Sequence, residues 1–139
     1  MWLKAIPKLE LVGIYRHPFL VADSLMRRNH KTADEALELW FTYNMILYWL
    51  ACNKPIFPII EFSIDPADFN NQLTDLISIL KLDSRSVDFF DANLRTQKIP
   101  DLTPDIANTQ IANRCINLYK SLKELAESSM QGFERSAAA

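Results

Sequence analysis

The sequence predicts an α/β fold, mostly helical by residue count, with two short parallel strands at about 9–15 and 56–62. Two apolar runs, Leu9 to Tyr15 and Ile56 to Phe62, are separated by segments whose apolar residues recur at helical spacing. Helix-start signals stand at Thr32, Asp65 and Thr103. Strand, helix, helix, strand, helix is the order of an α/β unit, whose strands pair in parallel across a right-handed crossover. Two strands alone make a thin sheet, so exposed edges and faces are expected to want partners.

Leu9-Glu10-Leu11-Val12-Gly13-Ile14-Tyr15 suits a buried strand, and Arg16-His17-Pro18 ends it. Proline is well placed at a first helical position, and Phe19, Leu20, Val21, Leu25 and Met26 continue at helical spacing to Arg28. Thr32 and Glu35 have the spacing of a capping box. The helix they open carries Ala36, Leu37, Trp40, Tyr43, Leu47 and Leu50 as its apolar stripe. From Met45 onward it is apolar on every side, which implies burial beneath other elements. Trp40, Tyr43, Tyr48 and Trp49 are therefore expected in the core.

Asn53-Lys54-Pro55 breaks that helix, and Ile56 to Phe62 forms the second strand, with Pro58 suited to an edge or a strand start. Asp65-Pro66 reads as an N-cap and first-turn proline, opening a helix through Phe69, Leu73, Leu76, Ile77 and Leu80. Residues 83–102 read as an irregular connection with one turn at Val87-Asp88-Phe89-Phe90, its acids Asp88, Asp91 and Asp101 solvated. Thr103-Pro104 repeats the cap-and-proline device. It is expected to open the last helix, with Ile111, Cys115, Leu118, Leu122 and Leu125 inward and Gly132 as its C′ residue. The expected organisation is one domain over 1–133 and a disordered tail over 134–139.

Composition narrows the function. The 139 residues are 49% hydrophobic and 23% charged, which excludes low-complexity disorder. Only Gly13 and Gly132 are glycine, too few for a dinucleotide fingerprint or a glycine-rich phosphate loop, where backbone must approach phosphate without a side chain between. A net charge of −2 argues against a general nucleic-acid binder. The basic stretch Arg27-Arg28-Asn29-His30-Lys31 reads as a solvated helix end, the alternative being a small DNA-binding module. Cys52 and Cys115 lack metal-site spacing and are expected to be buried, reduced thiols of a cytoplasmic protein, with no metal bound. Met1 to Lys8 holds no sustained apolar core, so no signal peptide is expected. The longest apolar run, Met45 to Cys52, is far short of the roughly 20 residues that span a bilayer, so no membrane partner is expected.

The candidate site is a pair. Arg16 stands where the first strand ends, the place where open α/β sheets take ligands. Ser24 stands on the helix that follows. A guanidinium at the strand end and a hydroxyl on the adjoining helix can both donate to one phosphate. Ser24 lies six residues past Pro18, about 9 Å along the helix axis, so the anion would sit beside the helix rather than at its tip. Charge-assisted hydrogen bonds, each worth about 1.5–3 kcal/mol, would then carry the binding more than the macrodipole. Arg27 and Arg28, three and four residues beyond Ser24, can add a phosphate contact. His17 reads as a capping or surface residue with no nucleophile relay, and His30 has no companion at metal-ligand spacing.

The segment Tyr15-Arg16-His17-Pro18-Phe19-Leu20-Val21-Ala22-Asp23-Ser24-Leu25 resembles the 3′-phosphate-binding segment of sulfotransferases that use 3′-phosphoadenosine 5′-phosphosulfate. The arginine, the proline two residues later and the serine eight later coincide. The resemblance continues through Glu35 to Trp40, Tyr43-Asn44, Phe57 to Phe62 and Phe89 to Arg95, so it covers about residues 9–95. It implies a partial P-loop-type three-layer architecture and assigns Arg16 and Ser24 to the 3′-phosphate of the donor or of its product, adenosine 3′,5′-bisphosphate. Phe62 becomes the candidate for stacking on adenine.

No catalytic residue carries over. The family's lysine- and threonine-bearing phosphosulfate loop and its general base precede the Arg-Ser segment, and only fifteen residues precede Arg16. The expectation is a C-terminal portion that binds the nucleotide and is incomplete as a catalyst. The alternative is a non-catalytic helical interaction domain, docking on a second polypeptide or self-associating through exposed sheet edges.

Overall fold

A computed structural model describes residues 11–54, 57–82 and 98–137. Its order is β1 (Gly13–Tyr15), α1 (Pro18–Asn29), α2 (Ala33–Asn53), β2 (Ile59–Glu61), α3 (Pro66–Ile79), a single 3₁₀ turn (Thr103–Asp105) and α4 (Thr109–Ala137). The chain is mostly helical and its two strands are parallel, in the register Gly13 to Ile59, Ile14 to Ile60 and Tyr15 to Glu61. Both strands are shorter than expected. Leu11, Val12 and Phe62 lie outside the ladder, while Leu9, Glu10 and Ile56 fall outside the described residues. Pro58 precedes β2 and serves through its carbonyl alone, accepting from Gly13 N–H at 2.9 Å, so its missing donor costs the ladder nothing.

Helices cover both faces of this sheet. Tyr15 and Ile59 belong to a core with Ala36, Leu37 and Trp40 of α2 and Ile111, Cys115, Leu118 and Leu122 of α4. Ile60 points the other way and packs with Phe69 and Leu76 of α3. Gly13 is required by close approach: a Cβ there would lie 2.4 Å from Leu47 Cδ1 and 2.7 Å from Ile59 Cγ2.

The local start signals hold at three helices. His17 caps α1, its Nδ1 accepting from Phe19 N–H at 3.2 Å. Thr32 and Glu35 form the reciprocal capping box of α2. Asp65 caps α3 through Ala67 N–H at 2.9 Å, with Pro66 in the first turn. Thr103-Pro104 does otherwise and opens only the 3₁₀ turn, because Ile106 turns extended immediately after it. Asn108 starts α4 instead, its side chain accepting from Gln110 N–H and its own N–H donating to the Asp34 carboxylate. The helix then runs through Gly132 to Ala137, so residues 134–137 continue it, and 138–139 lie outside the described residues.

The largest difference from expectation is on α2. Tyr43, Met45, Ile46, Trp49 and Cys52 are exposed, Tyr43 by 66% and Trp49 by 60%. Trp40 is buried as expected, and Cys115 is too, whereas Cys52 is not the buried thiol anticipated. Only one side of α2, through Ala36, Leu37, Trp40 and Leu47, meets the sheet and α4; no described residue covers the opposite side. Among the described residues no helix is long and apolar enough to cross a membrane. The expected turn at Val87 to Phe90 and the acids Asp88 and Asp91 lie outside the described residues. Asp101 is exposed and accepts from Thr103 N–H, and the Thr103 side chain first, then this N–H, lower its pKa.

Candidate functional site

The turn after β1 is held from three directions. Phe62 N–H, just past the end of β2, donates to the Tyr15 carbonyl at 2.7 Å. Trp40 Nε1–H donates to the Arg16 carbonyl at 3.0 Å, and Asn44 Nδ2 donates in turn to the Trp40 carbonyl at 2.8 Å. His17 closes the turn as the cap of α1. Arg16 is thereby fixed at the carboxyl end of the sheet.

Its side chain enters a cleft of about 450 Å³ between the strand ends, α1 and α2, with Val21, Trp40, Tyr43, Asn44 and Phe62 among the walls. The guanidinium carbon lies 5.1 Å from the centre of the Phe62 ring, a cation–π distance. Arginine, four aromatic residues (Tyr15, Trp40, Tyr43 and Phe62) and an amide meet in this one cleft. No carboxylate or imidazole lines it, so charge in the cleft is positive.

Ser24 is exposed on α1 and is not among the lining residues. At 100° per residue it lies about 60° around the helix from Val21, which does line the cleft. Arg27 is engaged by Asp23, Nη2 to Oδ2 at 2.6 Å, and Arg28 Nε donates to Asn29 Oδ1 at 2.8 Å. Both arginines sit in the last turn of α1, where they complement its carbonyl end.

No family model matches the chain, and no curated protein or solved structure matches it.

A second polar centre, which sequence reasoning missed, lies on the sheet face toward α4. Glu61 is only 7% exposed. Tyr119 O–H donates to its Oε1, and Lys123 Nζ lies 3.4 Å from its Oε2. Tyr119 also packs edge-to-face on His17 and Tyr15, with ring centres 4.9 and 6.0 Å apart. Burial first, and then the bond to Glu61, push the Tyr119 phenol upward. Burial lowers His17, against the opposing pull of Glu61. The available signal was a lone carboxylate inside Ile59-Ile60-Glu61-Phe62, since a buried acid requires partners.

Proposed function

We propose that this chain is the donor-binding part of a sulfotransferase-like protein. It recognises the 3′-phosphate of 3′-phosphoadenosine 5′-phosphosulfate, or of adenosine 3′,5′-bisphosphate, through Arg16 and Ser24. The observation that carries this reading is Arg16 at the carboxyl end of β1, inside an aromatic cleft, where open α/β sheets take ligands. Its guanidinium offers a fork of donors to phosphate oxygens, and Tyr43 and Phe62 offer apolar faces to a purine. Ser24 reaches the phosphate from the flank of α1. Helices on both faces of a parallel sheet agree with a partial P-loop-type three-layer architecture. The buried Cys115 thiol, pushed up to about 12 by burial, suits a reducing cytoplasmic compartment.

Sulfuryl transfer would require positive charge on the bridging oxygens and a base for the acceptor, as phosphoryl transfer does. The cleft supplies one arginine and no carboxylate or imidazole, so these residues bind the donor without transferring its group. Calorimetry with adenosine 3′,5′-bisphosphate tests the reading, with adenosine 5′-monophosphate as the ligand lacking a 3′-phosphate. Saturable heat with the bisphosphate, lost in Arg16→Ala and weakened in Ser24→Ala, is the expected result. No heat from the folded protein overturns it.

The exposed apolar side of α2 favours a second reading, a non-catalytic interaction domain. Ile46 at 54% and Trp49 at 60% exposure stand three residues apart on α2, and Ile14 on β1 is 60% exposed, apolar surface suited to a partner polypeptide. Light scattering separates the readings: self-association abolished by Trp49→Lys supports docking, and a monomer indifferent to that change opposes it.

A further inference from the structure

Tyr15 and Glu61 are opposite each other in the parallel ladder, so both side chains leave the same face of the sheet. Between that face, α3 and α4 lies a separate cavity of about 260 Å³, with Tyr15, Glu61, Asp68, Gln72, Lys123 and Glu127 in its walls. Most of its polar groups are engaged. The Glu61 carboxylate has Tyr119 and Lys123. Gln72 accepts from Glu61 N–H at 2.8 Å and donates to Asp68 Oδ2 at 3.1 Å. Tyr15 is different: it is only 3% exposed, and its hydroxyl makes no hydrogen bond among the described residues. Tyr15 shares the cavity wall with Glu61, Asp68 and Glu127; burial first, then Glu61, Tyr119, Glu127 and Asp68, push its pKa upward, which keeps the hydroxyl protonated.

Charge in the cavity is unbalanced. Glu61, Asp68, Glu127 and Asp75 line it against the single cation Lys123, which is half exposed. Ile59 and Ala126 complete the wall with apolar surface. No three acids among the described residues converge tightly enough to hold a metal ion. A ligand suited to these walls carries positive charge, spreads its donors over separated carboxylates and has a short apolar body.

The geometry points to this cavity as a binding site for a small organic cation, a primary ammonium or guanidinium on a short aliphatic stem. The stem lies against Ile59 and Ala126. The cationic head donates to the carboxylates of Glu61 and Glu127 and to a lone pair of Tyr15 Oη. The proposal does not rest on the nucleotide reading: Tyr15 borders both cavities, but Glu61, Asp68 and Glu127 line this one and not the Arg16 cleft.

Isothermal titration of the full chain at low salt with 1,4-diaminobutane tests the site. Controls are 1,4-butanediol, which keeps the stem without charge, and magnesium chloride at matched ionic strength. The expected result is saturable heat with the diamine alone, weakened about tenfold both in Tyr15→Phe and in Glu127→Gln, as loss of one charge-assisted hydrogen bond implies. Glu127 is exposed, so its variant leaves the fold intact even where Tyr15→Phe does not. No saturable heat from the diamine, equal binding of butanediol or magnesium, or unchanged diamine affinity in Glu127→Gln overturns the proposal. Adenosine 3′,5′-bisphosphate added first is expected to leave the diamine affinity unchanged.

Discussion

The indole N–H of Trp40 donates to the backbone carbonyl of Arg16 at 3.0 Å, tying the middle of α2 to the turn that presents the candidate ligand-binding arginine. Trp40 is 3% exposed, so this carbonyl has little access to water as a substitute donor. Trp40→Phe keeps an aromatic ring in the core and removes the donor. It is expected to destabilise the fold by about 1–3 kcal/mol. A chemical denaturation midpoint equal to that of the parent protein would contradict this.

Gly13→Ala tests close packing at β1. The added methyl would stand 2.4 Å from Leu47 Cδ1 and 2.7 Å from Ile59 Cγ2, well inside contact distance, so these side chains or the elements that carry them must shift. Overpacking of this kind costs about 1–3 kcal/mol. Combining it with Leu47→Ala is expected to recover part of the loss relative to Leu47→Ala alone, which a double-mutant cycle on melting temperature reads directly.

His17 gives the stability a pH dependence. Its folded pKa lies below the ordinary value of 6.5, chiefly through burial, so the unfolded chain takes up the proton first. Stability from this residue is therefore complete above about pH 6.5 and declines as pH falls through the window beneath it. Protonation also removes the Nδ1 acceptor that caps α1. His17→Asn retains a capping side chain without the titration. Its melting temperature is expected to vary less between pH 7.5 and about 5.5 than that of the parent, and identical profiles would remove His17 as the cause.

At the nucleotide cleft, Arg16→Lys separates charge from shape. Lysine keeps the positive charge and loses the planar fork and its stacking on Phe62. Affinity for adenosine 3′,5′-bisphosphate is expected to fall about tenfold, with little change in stability. Full affinity in this variant would show that a point charge suffices.

Tyr119→Phe removes the hydroxyl that donates to the buried Glu61 carboxylate and leaves Lys123 as its remaining charged partner. The expected cost is about 1–3 kcal/mol at neutral pH. Glu61→Gln in the same background should add less than it does alone, since the two residues share one interaction.

Much of the fold was legible because its signals are local. The Thr32 and Glu35 box and Asp65-Pro66 depend on side chains reaching backbone two or three residues away, and each stands where spacing placed it; of the two readings of His17, cap or surface residue, the structure has the cap. Thr103-Pro104 has the same local form but opens only one turn, because a contact made far off in sequence, Asn108 with Asp34, sets the start of α4. For the candidate site, the position of Arg16 at a strand end followed from the order of elements. Its neighbours Trp40 and Asn44 did not, since nothing in their spacing says that α2 crosses the end of β1.

By itself the sequence determined the α/β order, the parallel pairing of two short strands and the places where three helices begin, all consequences of apolar period and capping chemistry. Only the tertiary structure decided which side of α2 is wet. Met45, Ile46 and Trp49 are as apolar as Leu47, yet they are exposed because the sheet and α4 meet one side of the helix alone. It also decided that Glu61, a lone acid in an apolar run, is buried against Tyr119 and Lys123. Burial depends on what packs against a residue, and that partner lies 58 positions away in the chain for Glu61 and Tyr119.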